Sequence, residues 1–446
     1  MSNFESMSFS GKSINCYGLE VVKTVLKKYG HSVFDYDKKS DYPILFSLYW
    51  PEQIYDFLKW RYGQKKDRKI IVGGNTATAN PSPIISSGCY CYLGDGELWD
   101  GSFDHKHIVK IDCPTEKALS LNISPVKYED LQDSRRAFCE MSRGCANKCM
   151  FCQYGWLKPY RECDIEDIKN IITSAKTKSL RLFAADRFQH TRYRDIRGIM
   201  DKAGKCDTGS DVSMRFVYNN TDYLKYTNKV RCGLEGMSER LRRLIGKPFK
   251  DEMVVNFCKM VADAGIKSLD FYMIYGLPTE EKEDIQCFVE LINKIDTVMP
   301  DGYCIAFHWN AFTPSAQTPF QWAKSSFGYD RTYLERLVLG KDRINKRIKI
   351  MNKPTFTSDY TIVQRLLCIR ASDEVYKLIY NIAIKGGQLK KDYNFIIKEY
   401  ERLVGVSLVD EWPLEKQLPW DKYVIYDREK MLDLYKRKLL KCQDVE

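Results

Sequence analysis

Residues 141–156 read MSRGCANKCMFCQYGW. Three cysteines, Cys145, Cys149 and Cys152, fall within eight residues in the spacing C-x3-C-x2-C. Thiolates this close on one loop can converge on one metal centre. Structural zinc usually takes four ligands, typically in two paired knuckles, and the chain has no second C-x2-C pair. Three thiolates instead suit a four-iron cluster with one iron left open to a non-protein ligand. Gly144 lets the backbone approach closely, and Arg143 and Lys148 would offset the charge of a cluster.

On either side of this loop the chain alternates strand and helix. Upstream, KSINC reads as a short strand and GLEVVKTVLKKYG as a helix, with Leu19, Val22, Val25 and Leu26 at helical spacing and Gly30 as the stop. HSVFDYD and YPILFSLYW read as further strands, PEQIYDFLKWRYG as a helix with Pro51 at its start, and DRKIIVGG as a buried strand. This spacing predicts a parallel sheet with helices on both faces and ligands at the carboxyl ends of its strands. Residues 100–135 read as a connector. Downstream, SLRLFAAD, KSLDFYMIYGLP and GYCIAFHWNAFTP read as strands. DEMVVNFCKMVADAG reads as a helix closed by Gly265, and TEEKEDIQCFVELINKI as a helix with Thr279 as N-cap and two glutamates in its first turn. Such repeats suggest a full or partial barrel with its site at the strand C-termini. From about residue 330 the chain becomes helix-rich and charged.

Bulk composition narrows the class. At 446 residues the chain is expected to form two or three domains. It has no apolar run of about 18 residues, so no membrane span is expected, and MSNFESMSFSGKS lacks the apolar region of a signal peptide. A soluble, cytoplasmic protein is the expectation. In a reducing compartment, clustered members of its 16 cysteines would hold metal or do redox chemistry. The net charge of +11 is compatible with a polyanionic partner such as nucleic acid.

With Phe151 just before its third cysteine, CANKCMFC resembles the radical S-adenosylmethionine (radical SAM) superfamily. The resemblance implies that Cys145, Cys149 and Cys152 bind a [4Fe–4S] cluster whose open iron chelates the amino and carboxylate groups of SAM. One electron, from a reductant such as flavodoxin or ferredoxin, then cleaves SAM to methionine and a 5′-deoxyadenosyl radical that abstracts hydrogen from a substrate. The cofactor carries the hard chemistry, and the protein supplies position and exclusion of water. Phe151 is expected to pack by the adenine. LFAAD, residues 182–186, stands where the family has a motif contacting the SAM amino group, often Gly-Gly-Glu, and Asp186 is the candidate. MRFVYNN offers Arg215. GLEGMSERLRRLIGKP resembles the strand ending in Gly-x-Glu and places Glu235 near SAM. MIYGLPTEEKEDI resembles the segment lying along the adenine, where Gly276 would allow close approach. NAFTPSAQTPFQW, residues 310–322, resembles the sixth-strand exit of the same branch.

The first domain resembles the cobalamin-binding domain fused in front of many radical SAM barrels. There a D-x-H-x-x-G motif follows the first strand, and its histidine can ligate cobalt. The equivalent SINCYG has Ser13 for Asp and Asn15 for His, and keeps Gly18. Asn15 is a poor substitute for imidazole. Either cobalamin binds without a protein ligand to its lower face, or the domain serves packing or substrate docking. Ser47, Leu48, Gly73, Gly74, Thr78, Gly94 and Gly96 match later signposts, and the glycines would admit a nucleotide-like tail. Methylthiotransferases share this layout but carry three further cluster cysteines in the first domain. Ser47 and Gly73–Gly74 stand near where two of those would fall, and Cys89 and Cys91 read as small buried residues.

Near the C-terminus Arg343, Lys346, Arg347 and Lys349 form one basic group, and Lys436, Arg437, Lys438 and Lys441 another. They read as a solvated helix face or a phosphate-tracking surface. Trp309, Phe312, Phe320 and Trp322 read as core or as a base-stacking platform. LLCIRASDEVYKLIYNIAIKGG, residues 366–387, resembles a tail that covers the active site in the same branch.

The expected architecture is α/β. It comprises an N-terminal Rossmann-like parallel-sheet domain over 1–125, a central radical SAM (β/α)6 partial barrel over 126–328, and a mostly helical C-terminal cap or substrate-binding region over 329–446. The expected activity is radical modification of a substrate, a nucleobase in DNA or RNA, by hydrogen abstraction followed by rearrangement or group addition. The alternative is cobalamin-dependent methyl transfer to a small molecule or peptide.

Overall fold

A computed structural model of the chain describes residues 2–7, 17–109, 113–121, 123, 137–207, 209, 211–227, 229–338, 347–350, 356–385 and 392–443. The first sheet contains β1 (Asn3–Met7), β2 (Ser32–Asp35), β3 (Ile44–Ser47), β4 (Ile70–Gly73), β5 (Tyr90–Tyr92) and β6 (Ile108–Val109). They lie in the order β2-β1-β3-β4-β5-β6, all parallel except the last pair. Neighbouring residues on one strand feed different cores. Ile44, Phe46, Ile70 and Val72 pack with Ile54 and Phe57 of the helix Gln53–Tyr62. Leu45, Ile71 and Phe4 pack with Leu19 and Leu26 of the helix Tyr17–Lys28. This two-sided burial is why these strands read as continuous apolar runs.

Two features of this sheet differ from expectation. A strand, β1, lies inside the N-terminal segment read as merely polar, and KSINC, with Ser13 and Asn15, falls outside the described residues. Strand β1 escapes hydropathy because it buries a carboxylate, Glu5, whose charge Arg68 matches at 2.7 Å. The expected connector also contributes β6, the antiparallel edge of the sheet.

The second half begins with β7 (Ala137–Glu140) and a short hairpin of β8 (Ser142–Arg143) and β9 (Arg161–Glu162). It continues through β10 (Ser179–Phe183), β11 (Cys206–Asp207), β12 (Val230–Glu235), β13 (Ser268–Tyr275), β14 (Cys304–Ala311) and β15 (Lys349–Ile350). Strands β7, β10 and β11 form one parallel sheet and β12 to β15 another, and an Asp211–Arg231 bridge carries the parallel order across the gap. The six strands β7 and β10–β14 thus run in chain order around an open barrel, and β15, beyond residue 328, extends its far edge. Alternation assigns the two faces. Val230, Cys232, Leu234, Phe271 and Phe307 are buried on the outer face, where Phe288 of the helix Lys282–Val298 meets Phe307 edge-on at 5.2 Å. Arg231, Gly233, Glu235, Asp270, Tyr272 and His308 alternate with them and line the inner face.

The helix Lys282–Val298 does not start at Thr279. Glu281 caps it in a reciprocal box with Asp284, and Glu283 and Asp284 occupy its first turn. Tertiary contacts shift the start. Asp284 is held by Ser238 and Arg240, and Arg240 also donates to the Thr279 hydroxyl at 3.0 Å.

Four C-terminal helices, Asp359–Ile369, Tyr376–Lys385, Tyr393–Val404 and Arg428–Gln443, pack back on both halves. Trp309, Phe312, Phe320 and Trp322 are all core residues, which leaves no stacking platform among them. Of the basic groups, Arg343 and Lys346 lie outside the described residues. Arg347 pairs with Asp301, Arg437 with Asp433, and Lys438 donates to the Arg243 carbonyl. No helix among the described residues is long and apolar enough to cross a membrane.

Candidate functional site

The cysteine loop leaves the hairpin at Gly144, whose φ of 74° an L side chain rarely adopts. A Cβ there would also collide with the Pro159 carbonyl. Backbone bonds then pin the loop from several sides. Met150 N–H donates to Ile245 O at 3.0 Å, Phe320 N–H to Met150 O at 3.1 Å, and the Trp156 indole N–H to Cys149 O at 2.9 Å. Cys145 and Cys149 are buried and Cys152 is partly so. Burial raises all three thiol pKa values, pushing Cys152 up to about 12. Among the described residues no group of three His, Cys, Asp or Glu side chains is arranged to hold a single metal ion. Three thiolates on one loop suit a polynuclear cluster, which takes each on a different iron.

Two strand ends deliver charge to this loop. After β10, the half-buried Asp186 accepts from Phe188 N–H at 3.2 Å and from the Asn147 side chain at 3.3 Å, and burial raises its pKa. Three residues on, the Gln189 side chain accepts from Ala146 N–H at 2.9 Å and lies 3.6 Å from Cys145 Sγ. At the end of β12, Glu235 has a φ of 66° beside an irregularity in strand register. Lys247 Nζ donates to Glu235 Oε1 at 3.0 Å and to Gly233 O at 3.1 Å. Burial works against the Lys247 charge, but Glu235, Cys149 and Cys152 around it raise its pKa.

The other expected contacts are placed differently. Phe151 is half-buried against the core. Arg215 is exposed in the helix Met214–Asn219, and no hydrogen bond or ion pair among the described residues ties it to the loop. Gly276 has a φ of 70°, and its close approach is to Ser326 of this chain. Three residues escaped the sequence reading. Lys247 and Gln189 obey no spacing rule. Asp95 lies between Gly94 and Gly96, the two residues of the LGDGE stretch that the sequence singles out. It is fully buried and pairs with Arg143 at 3.2 Å, Lys158 at 2.9 Å and Arg161 at 2.5 Å. Arg143 reaches Glu97 and Glu140 as well, each at 2.7 Å. Opposite charges hold the Asp95 carboxyl well below the usual range against its burial, and the network bolts the first sheet to the foot of the cysteine loop.

The glycines at the carboxyl edge of the first sheet face their own chain. A Cβ on Gly74 would strike the Leu48 carbonyl, and one on Gly94 the Ala118 carbonyl. The space read as room for a nucleotide-like tail is occupied there by backbone. Gln317 donates to Thr78 O and Ala79 O at 2.9 and 2.7 Å, and Asn80 to Ile369 O and Ala371 O at 3.0 and 2.8 Å.

Residues 139–292 match the model of the Radical SAM superfamily. With three thiols on one loop at the strand C-termini, the chain carries a radical SAM domain and is an enzyme of that class, which uses a [4Fe–4S] cluster and SAM and needs an electron donor. It is 21% identical over 348 residues to an uncharacterised protein of Methanocaldococcus jannaschii, covering 69% of this chain and 76% of that one. Its fold is similar to that of TsrM from Kitasatospora setae, a radical SAM methyltransferase solved with cobalamin and a [4Fe–4S] cluster bound. The TM-score is 0.51 at 13% identity, over 72% of this chain and 73% of that chain. It is also similar to the cobalamin-dependent SAM radical enzyme OxsB, with a TM-score of 0.50 at 11% identity over 99% of this chain and 79% of that chain. At these identities the likeness is one of fold.

Proposed function

We propose that Cys145, Cys149 and Cys152 hold the [4Fe–4S] cluster, and that Asp186, Glu235 and Lys247 receive SAM beside it. What carries this reading is the convergence of three thiols, two carboxylates and one ammonium at the ends of β10 and β12. When bound, the cluster supplies the electron that cleaves SAM. The protein's part is placement. Asp186 and Glu235 offer acceptors to the SAM ammonium, and Lys247 offers a cation to its carboxylate and to the thiolates. Gln189 braces the loop at Ala146. Phe151 packs by the adenine, with Gly276 in the segment that follows β13. Arg215, exposed on its helix, has no structural support for this role.

The substrate would sit against the inner face of the barrel and give up a hydrogen atom there, before rearrangement or group addition. A nucleobase in DNA or RNA is one candidate, supported by the net charge of +11. Cobalamin-dependent methyl transfer is the second, favoured by the OxsB-like fold over 99% of the chain and opposed by the filled glycine corners of the first sheet. Flavodoxin or ferredoxin would supply the electron. The test is anaerobic reconstitution, with iron, sulfide and corrinoid measured together and SAM cleavage followed under reduction. We expect 5′-deoxyadenosine; a loaded cluster that yields none rules the reading out. Absence of DNA and RNA binding even at low salt would remove the nucleobase, and absence of bound corrinoid would remove methyl transfer through cobalamin.

A further inference from the structure

The inner face of the barrel carries a polar group that the cysteine site does not use. Asp270 of β13 is 5% exposed, and one of its oxygens, Oδ2, receives Lys229 at 2.9 Å, Arg231 at 3.2 Å and His308 at 3.1 Å. Arg231 also reaches the Tyr272 hydroxyl at 3.4 Å, and Tyr272 lies against the His308 ring at 5.7 Å. Asp211 touches the Tyr272 hydroxyl at 3.5 Å. The acceptor is buried while the donors are open, at 41% for Lys229, 29% for Arg231 and 37% for His308. Here donors are in surplus. Among the described residues, Arg231 has three of its five N–H groups engaged and the Lys229 ammonium one of its three.

Position gives this surplus a use. Arg231 and Glu235 share one strand and one face, with Gly233 between them beneath the Lys247 ammonium. Four residues of strand span about 13 Å, enough for a small molecule lying between the two groups. Across the barrel, the inner face of β7 and β10 presents Phe138 and Phe183, half-buried, with Tyr17 edge-on to Phe183 at 4.5 Å, and the exposed Arg181 and buried Glu140 share that face. One wall carries aromatic edges beside a further charged pair, and the other is rich in donors.

We propose that this inner face is a substrate subsite for a small molecule with an apolar body and a carboxylate or phosphate. Arg231 and Lys229, oriented by Asp270, take the oxyanion, with Tyr272 and His308 beside them. Phe138, Phe183 and Tyr17 meet the body. The anion anchors the substrate at depth and leaves its far end toward Glu235. This rests on the SAM site proposed above and assigns the substrate class of that same site.

The experiment is calorimetric binding to the anaerobically reconstituted enzyme with three probes that share a ring: benzoate, phenyl phosphate and neutral benzyl alcohol. We expect one of the two anions to bind at least about tenfold more tightly than the alcohol, and the better of them to identify the oxyanion. Arg231→Gln should weaken it about tenfold or more, and Arg231→Lys should recover part of the loss. Tyr272→Phe, which leaves every ion pair in place, should give a smaller loss. It keeps the test open if Arg231→Gln does not fold, as judged by circular dichroism and iron content. Equal binding of all three probes, undiminished anion binding in folded Arg231→Gln, or full displacement of the anion by SAM alone would each overturn the subsite. So would tight binding of a single-stranded oligonucleotide without binding of either small anion. The two proposals fail separately. Formation of 5′-deoxyadenosine without anion binding ends the subsite only, and anion binding without 5′-deoxyadenosine ends the SAM reading only.

Discussion

The two parallel-sheet units of this chain end differently. At the barrel, strand carboxyl ends converge on thiols and on Asp186, Glu235 and Lys247, polar groups whose mutual contacts leave capacity for a ligand. At the first sheet, the described strand ends are taken up by the chain itself. Leu48 and Ala118 carbonyls fill the glycine corners, Gln317 and Asn80 consume backbone carbonyls on either side, and Asp373 accepts from Ser82, Ser86 and Tyr423 at 2.7–2.8 Å. In the reading proposed above, the same topology yields a ligand site in one unit and a docking platform in the other. Strand order places an edge where a ligand can bind, but only the side chains and loops that arrive there decide whether it does.

The largest expected effect breaks the barrel side of this contrast. Cys149→Ser should abolish both iron loading and 5′-deoxyadenosine formation, measured by metal analysis and chromatography, while the first sheet keeps its fold. Next comes the joint between the units. Asp95→Ala leaves Arg143, Lys158 and Arg161 facing each other in a buried space, at a cost of about 3–5 kcal/mol in urea unfolding. Because Arg143 stands at the foot of the loop, cluster loading should fall with it. Lys247→Gln should keep the cluster but weaken SAM about 10- to 100-fold by spectroscopic titration; unchanged affinity would mean that Lys247 only braces Glu235. At the docking edge, Gln317→Ala strands two buried carbonyls and should cost about 1–3 kcal/mol with SAM cleavage intact. A rise in melting temperature on adding cobalamin would instead show that this edge still takes a ligand.

The smallest effect sharpens the contrast through pH. Burial pushes the Glu280 carboxyl up to about 7 from an ordinary 4.5. It accepts from Leu277 N–H at 3.1 Å and so holds the turn that follows Gly276. Because its folded pKa is raised, the stability it contributes is full below about pH 4.5 and is lost as pH rises through 7. Glu280→Gln should therefore raise the melting temperature by a few degrees at pH 8 and lose that advantage near pH 5.

Much of this was legible because local pattern and tertiary role agreed. The strands Ile44–Ser47 and Ile70–Gly73 are apolar on successive residues because both faces are covered, and the helix Asp251–Asp263 stops at Gly265 where φ is 78°. Strand Asn3–Met7 was illegible because its buried Glu5 is neutralised by Arg68, 63 residues away. The cap at Glu281 was misplaced because Ser238 and Arg240 choose Asp284 as its partner. Cysteine spacing marked the loop, but nothing local marked Gln189, which reaches it from a helical turn after β10, or Lys247, which reaches it from the loop after the helix Glu239–Leu244.

By itself, then, the sequence determined the thiol count, their crowding on one loop, the alternating strand–helix plan and the family resemblance, since each is written in local spacing. Only the tertiary structure decided which charges meet those thiols, that Asp95 joins the two units, that Gly74 and Gly94 at the first sheet's edge meet backbone carbonyls, and that Arg231, Lys229 and His308 share one buried carboxylate. Those outcomes depend on residues tens to hundreds of positions apart, and a charge, a cavity or a surplus donor acquires its meaning only from what the fold sets beside it.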